Sequence, residues 1–175
     1  MSIDWSNDLP DYLKHYLSMA TESEVLEALR NSEDELVSVL QKTDASKANF
    51  KYAEGKWTVN EVMQHIIDTE RIFQYRALCI ARGEKQSLPG FDQDEYAANV
   101  EVSGRSLQSM LDEFVAVRRS SFQLFMHLTN DQLNTEGLAN GMKIRPIAYG
   151  FLCAGHLRHH LNVLQDRYFN SPFFS

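Results

Sequence analysis

The feature that most constrains this chain is its helix punctuation. Three times a threonine is followed three residues on by Glu or Gln: Thr21 with Glu24, Thr58 with Glu61, and Thr129 with Gln132. In such a pair the two side chains satisfy each other's free backbone donors, so a helix starts at a defined residue. Behind Thr21, Val25, Leu26, Leu29, Leu36, Val37 and Leu40 recur at helical spacing and predict a first helix to about Lys42. The polar stretch RNSEDE in its middle reads as a solvated face. Behind Thr58, Val62, Met63, Ile66, Ile67, Phe73, Ala77 and Ile80 trace a second apolar face, which Gly83 ends. A third helix is predicted from near Ser103 or Ser106 to about Leu128, carried by Leu107, Met110, Leu111, Phe114, Val117, Phe122, Leu124 and Phe125. Thr129 caps a short helical turn, and TEGLANGMKIR reads as a loop or small hairpin around Asn140-Gly141. Pro146 suits the first turn of a fourth helix that runs to about Tyr168.

Four helices of about 20 residues are each about 30 Å long, and no useful stretch alternates with a period of two. The expectation is an all-α fold, a four-helix bundle with long crossover connections. The connection RGEKQSLPGFDQDEYAANVEVSG is too long for a simple turn; it has room for a short helix in DQDEYAAN. It can also carry the chain back along the bundle, so that the second and third helices run parallel. One domain is expected over 1–175, with its core at about 9–168.

Composition narrows the function. Seventeen Lys and Arg against 24 Asp and Glu give a net charge of −7, which argues against a nucleic-acid partner, because no basic excess replaces condensed counterions. Apolar runs far shorter than the ~20 residues of a membrane span argue against a membrane partner. The start MSIDWSNDLPDYLKHYL has no basic segment followed by an apolar one, so no signal peptide is expected. Cys79 and Cys153 form no CxxC motif, which points to a reducing, cytoplasmic compartment.

The chemistry lies in the histidines. Of six, His156, His159 and His160 fall in GHLRHH on the fourth helix. His156 and His160 are four apart and stack on one face, a spacing that lets two imidazoles converge on one metal. His65 sits on the second helix in EVMQHIIDTE. Bundle cores build metal sites from facing helices, so His65, His156 and His160 are the candidate ligands of a three-nitrogen site. Such a site leaves coordination positions open, the mark of a catalytic rather than a structural metal. The alternative for each histidine is a packed or border residue with no ligand role.

The segments GKWTVNEVMQHIIDTERIFQYRALCIARG, LPGFDQDEY, FVAVRRSSFQLF and AGHLRHHLNVL, in this order, resemble the DinB-like (DinB/YfiT) superfamily of four-helix proteins. The resemblance spans about Leu9 to Tyr168. It implies crossover connectivity, frequent dimers, and a divalent metal on His65, His156 and His160. It also implies thiol-dependent transferases and isomerases, as well as hydrolases, among the relatives.

Around these ligands the sequence leaves roles open. His159 is a supporting residue of the site or a packing residue, and Cys153 approaches the site or is simply small and buried. Asp68 orients a ligating imidazole or acts as a base, or is a solvated helix carboxylate. Glu70, Arg71, Tyr75 and Arg76 are explained by pairing within the helix, although a pocket arginine can grip a substrate carboxylate. Trp57 reads as a packing plug, Phe91 and Tyr96 as a lid, and His15 and His127 as surface residues.

Imidazole suits zinc, nickel, iron and copper alike, and zinc or nickel is the foremost expectation. The ion would activate a water, making a hydrolase, or a low-molecular-weight thiol, making a transferase, with a small-molecule substrate in either case. Two further readings are a non-catalytic metal-binding or stress-response module and a dimeric interaction protein. In the latter the aromatic tail Tyr168, Phe169, Phe173 and Phe174 docks on a partner. A homodimer is expected.

Overall fold

The computed structural model describes residues 9–169, so Phe173 and Phe174 of the aromatic tail lie outside the described residues. The elements are α1 (Asp11–Ser18), α2 (Val25–Leu40), a 3-10 turn (Ala45–Asn49), α3 (Val59–Ala81), α4 (Gln93–Ala98), α5 (Leu107–Met126), α6 (Asn130–Asn134), β1 (Gly137–Ala139), β2 (Met142–Ile144) and α7 (Pro146–Val163). A wider π-type turn, Leu164–Phe169, continues α7. The bundle is made by α2, α3, α5 and α7.

Capping decides where these helices begin. Thr58 Oγ1 accepts the Glu61 N–H at 3.1 Å while the Glu61 carboxylate accepts the Thr58 N–H at 2.6 Å. Thr129 and Gln132 make the same reciprocal pair, and the Ser106 hydroxyl caps α5. The predicted pair of Thr21 and Glu24 does not form. Glu24 itself is the cap residue of α2, in extended conformation and without a side-chain cap bond. Its neighbour Glu22 is instead drawn into a bidentate pair with Arg158 at 2.7 and 2.9 Å. Pro146 opens α7 as expected. Asn140 and Gly141, with φ of 51° and 73°, make the tight hairpin turn whose left-handed backbone these two residue types tolerate.

Side-chain partners fix the helix directions. Along α3 and α5 the numbers rise together: Asn60 Nδ2 donates to the carbonyl of Arg105, just ahead of α5, at 2.8 Å, Arg71 pairs with Glu113 at 2.7 Å, and Gln74 donates to the Val117 carbonyl at 2.7 Å. The two helices are therefore parallel, as the long 83–103 connection permits. Between α3 and α7 the numbers run oppositely, from His65 beside His156 to Phe73 beside Tyr149, so that pair is antiparallel.

The core is divided in two. One apolar cluster gathers Leu29, Phe73, Ile80, Phe125, Tyr149 and Leu152. The other gathers Leu36, Met63, Ile66, Phe114, Leu157 and Leu164. Buried polar residues lie between them along all four helices: Ser32, Thr69 with Glu70, Arg118 with Ser121, and His156. RNSEDE is therefore not wholly a solvated face, because Ser32 is fully buried and accepts a hydrogen bond from Arg118 at 2.7 Å.

One helix was not foreseen. α1 lies against α7, and Gly155 permits it: any Cβ there would collide with the Tyr16 carbonyl. This contact brings Tyr16 onto the face of α7 that carries the histidines.

Candidate metal centre

His65 projects from α3, and His156 and His160 from α7. One turn separates the latter two, so their rings lie above one another on the face turned to α3. His156 Nε2 lies 3.0 Å from His65 Nε2 and 3.1 Å from His160 Nε2. Each of the three residues offers a nitrogen, all within 4.8 Å of one another. His65 and His156 are buried and His160 is partly exposed.

The convergence fits a cation. Nitrogens held about 2.0–2.1 Å from one ion at ordinary coordination angles stand about 2.8–3.4 Å apart, which matches the two spacings that His156 makes, 3.0 and 3.1 Å. A neutral imidazole carries one N–H and one lone pair, so His156 Nε2, facing two other Nε2 atoms, completes at most one good hydrogen bond. An ion satisfies all three lone pairs. Burial also keeps the rings neutral. It lowers His65 to about 4, with the nearby His159 adding to the effect. It holds His156 and His160 well below 6.5, with mutual repulsion reinforcing it. A neutral imidazole is the form that ligates.

Aromatic rings wall the cluster. Trp57 lies 5.1 Å from His65 between ring centroids, Tyr16 5.2 Å from His156, and Phe73 6.0 Å from His156. Trp57 is thus a neighbour of the site as well as a plug, its carbonyl accepting the Tyr168 hydroxyl at 2.8 Å. A cavity of about 230 Å³ opens beside the histidines, lined by His65 and His156 together with Tyr16, Thr69, Phe73, Arg76, Phe91 and Tyr149. Phe91 covers it from the 83–103 connection, and Tyr96 packs on Phe91 at 5.2 Å. Tyr149 is pushed up to about 12 by burial, against the pull of Arg76, so it stays a neutral phenol.

The remaining sequence candidates fall as follows. His159 is outside the converging trio; its ring meets Tyr16 at 5.1 Å and His15 at 5.5 Å. His15 and His127 are exposed. Cys153 is buried among apolar residues, with its thiol pushed well up by that burial, and does not line the cavity. The Asp68 carboxylate accepts from Gln64 at 2.9 Å and Arg71 at 3.4 Å; no hydrogen bond joins it to an imidazole. Glu70 corrects the within-helix reading. Its two oxygens take Arg118 of α5 at 2.8 Å each, and its Oε1 also accepts the Ser121 hydroxyl at 2.6 Å.

Sequence reading missed Tyr16 and also Tyr12, another residue that lines the cavity, because it overlooked α1, and it gave no role to Thr69 or Tyr149. Leu13, Tyr16 and Leu17 do show the i, i+3, i+4 spacing that would have revealed α1. Nothing in the sequence marks Thr69.

A bundle with parallel α3 and α5, and with three imidazoles from two helices facing one point, defines a protein of the four-helix, three-histidine class. The sequence profile of the DinB superfamily matches residues 28–164, and the chain belongs to that superfamily. It is 26% identical over 147 residues to an Oceanobacillus iheyensis protein named "putative metal-dependent hydrolase", covering 78% of this chain and 77% of that one. Its fold matches that of YfiT from Bacillus subtilis with a TM-score of 0.70 at 17% identity, over 81% of this chain and 82% of that one. YfiT is described as a probable metal-dependent hydrolase with an unusual four-helix bundle topology. Among the described residues no helix is long and apolar enough to cross a membrane, and both cysteines are free thiols.

Proposed function

We propose that this protein is a metal-dependent hydrolase of small molecules, with a divalent ion, zinc or nickel, held by His65, His156 and His160. The observation that carries the reading is the convergence of three neutral, largely buried nitrogens beside a cavity. When bound, the ion supplies Lewis acidity that brings water or a thiol into the neutral titration range.

The chain's own residues define the rest. Tyr16, Phe73 and Trp57 exclude solvent from His65 and His156 and keep them unprotonated. Among the described residues, no Asp, Glu or Lys lines the cavity. Glu70 is fully engaged by Arg118 and Ser121, and Asp68 by Gln64 and Arg71, so neither is assigned as the base. The Tyr149 phenol is a hydrogen-bond donor at neutral pH rather than a proton acceptor.

Hydrolysis is preferred to thiol transfer for two reasons. Relatives of this fold carry hydrolase names, and 230 Å³ is below the ~300–1,000 Å³ of a drug-sized ligand site. That space suits one small substrate with water better than a substrate beside a thiol cofactor. A homodimer in a reducing, cytoplasmic setting completes the proposal, the two free cysteines being compatible with it.

The test is a panel of small esters and amides given to zinc- or nickel-loaded protein, with thiol consumption followed in parallel. Chelator-sensitive hydrolysis that disappears in His160→Ala is the expected result. Thiol consumption without hydrolysis would move the protein to the transferase reading, and metal binding without either to the non-catalytic module.

A further inference from the structure

Among the described residues, Arg76 is a buried cation without a counterion. It is 7% exposed, and no ion pair among the described residues involves it. Its Nη2 donates to the Pro89 carbonyl at 2.6 Å, the guanidinium also donates to the Tyr149 hydroxyl, a neutral group, and it lies 5.9 Å from the Phe91 ring centre. A buried charge with no partner is costly, and proteins ordinarily pair it. The other buried arginine, Arg118, is paired in full with Glu70. Arg76 instead faces the cavity that His65 and His156 also line.

A polar group with no hydrogen-bond partner among the described residues points the same way. Thr69 is 3% exposed, its Oγ1 has no hydrogen-bond partner among the described residues, and it lines the same cavity. On α3, His65, Thr69 and Arg76 lie within about 40° of one another around the helix axis, with about 16 Å of rise from first to last. They form a polar stripe leading from the histidines to the guanidinium. The walls on either side are apolar: Leu13, Phe73, Phe91 and Ile144.

We propose that Arg76 anchors the carboxylate of a small, otherwise apolar monocarboxylic substrate in this cavity, with Thr69 hydrogen-bonding along its length. A guanidinium presents two parallel N–H groups to a carboxylate, which gives both strength and orientation. Among the described residues Arg76 is the one cationic side chain lining the cavity, so the charge balance fits a monoanion rather than a phosphate dianion. The volume fits one short chain or ring. The inference deepens the hydrolase reading by naming its substrate class, but the anchor itself needs no ion.

Calorimetric titration tests it with 3-phenylpropionate, its neutral amide, and inorganic phosphate as probes. The proteins are wild type, Arg76→Gln, Arg76→Lys and His160→Ala, with metal content measured on the same samples. Wild type should bind the acid at least about tenfold more tightly than the amide, a difference one charge-assisted pair readily supplies. Arg76→Gln should bind acid and amide alike, Arg76→Lys should keep a reduced preference, and His160→Ala should keep the full preference. Equal binding of acid and amide by wild type, no binding of either, or tighter binding of phosphate would overturn the proposal, and none of these comparisons depends on a variant folding. A preference kept in Arg76→Gln but lost in His160→Ala would also overturn it, because the carboxylate would then sit at the histidines. Absence of metal in every sample, with the Arg76-dependent preference intact, would sink the hydrolase reading and leave the anchor standing.

Discussion

The Arg118 cluster and the histidine cluster interrupt the same apolar core, and both draw on α3 and α7, yet only one of them is closed. Arg118 is fully buried and satisfied on every side: by both Glu70 oxygens, by the Leu29 and Cys153 carbonyls, and by Ser32. The histidine cluster and its cavity hold lone pairs that face one another and, among the described residues, a hydroxyl with no partner and a guanidinium with no counterion. A closed polar network holds four helices in register. An open one holds free-energy deficits that a ligand can relieve. The difference separates groups that hold the fold from groups that await a metal and a substrate, although both read as polar residues on an apolar face.

The comparison can be broken most severely at Arg118. Arg118→Ala leaves Glu70 buried and unpaired, and should cost about 3–5 kcal/mol in denaturant unfolding. A loss below about 1 kcal/mol would mean that the cluster is not the clamp described here. Arg76→Gln should cost far less stability, since it removes an unpaired charge.

The next effect is the pH dependence of the metal-free protein. His65 is lowered from 6.5 to about 4 in the folded state. Between those values the unfolded chain binds more protons than the folded one, so unfolding free energy falls as pH drops from about 6.5 to about 4. His65 alone contributes about 3 kcal/mol across that window, and the lowered His156 and His160 add to it in the same direction. Urea midpoints from pH 4 to 8 measure the slope, which should shrink in His65→Asn. A flat profile would mean that the rings are not buried as neutral groups.

How much of this was legible from sequence differs between the two regions. Helix starts were legible wherever a cap is local: Thr58 with Glu61, Ser106, and Pro146 depend on residues within one turn. Thr21 with Glu24 failed because a long-range partner, Arg158, claims the nearby chain through Glu22. His65, His156 and His160 were assembled from i, i+4 spacing and a facing helix, and the structure places their nitrogens together. Glu70 with Arg118, 48 residues apart, was not legible, because nothing local distinguishes that arginine from Arg119 beside it. Arg76 was noted as able to hold a carboxylate, but its isolation from any counterion is a property of three dimensions.

Two smaller effects sharpen the contrast. Thr69→Val should raise stability by about 1 kcal/mol, because it removes a buried hydroxyl that has no partner. Ser32→Ala in the closed cluster should lower stability by a similar amount; equal signs would erase the distinction. The smallest effect belongs to His159→Ala, with stability within about 1 kcal/mol of wild type and bound metal unchanged. Loss of the metal there would bring His159 into the ligand set.

The central claim is that three histidines form one metal site, and elemental analysis of purified, tag-free protein tests it most directly. Wild type, His65→Ala and His160→Ala are compared after reconstitution with zinc and with nickel. Near one equivalent per chain in wild type, lost in both variants, is the predicted result. Full occupancy in both variants, or none in wild type, would contradict it.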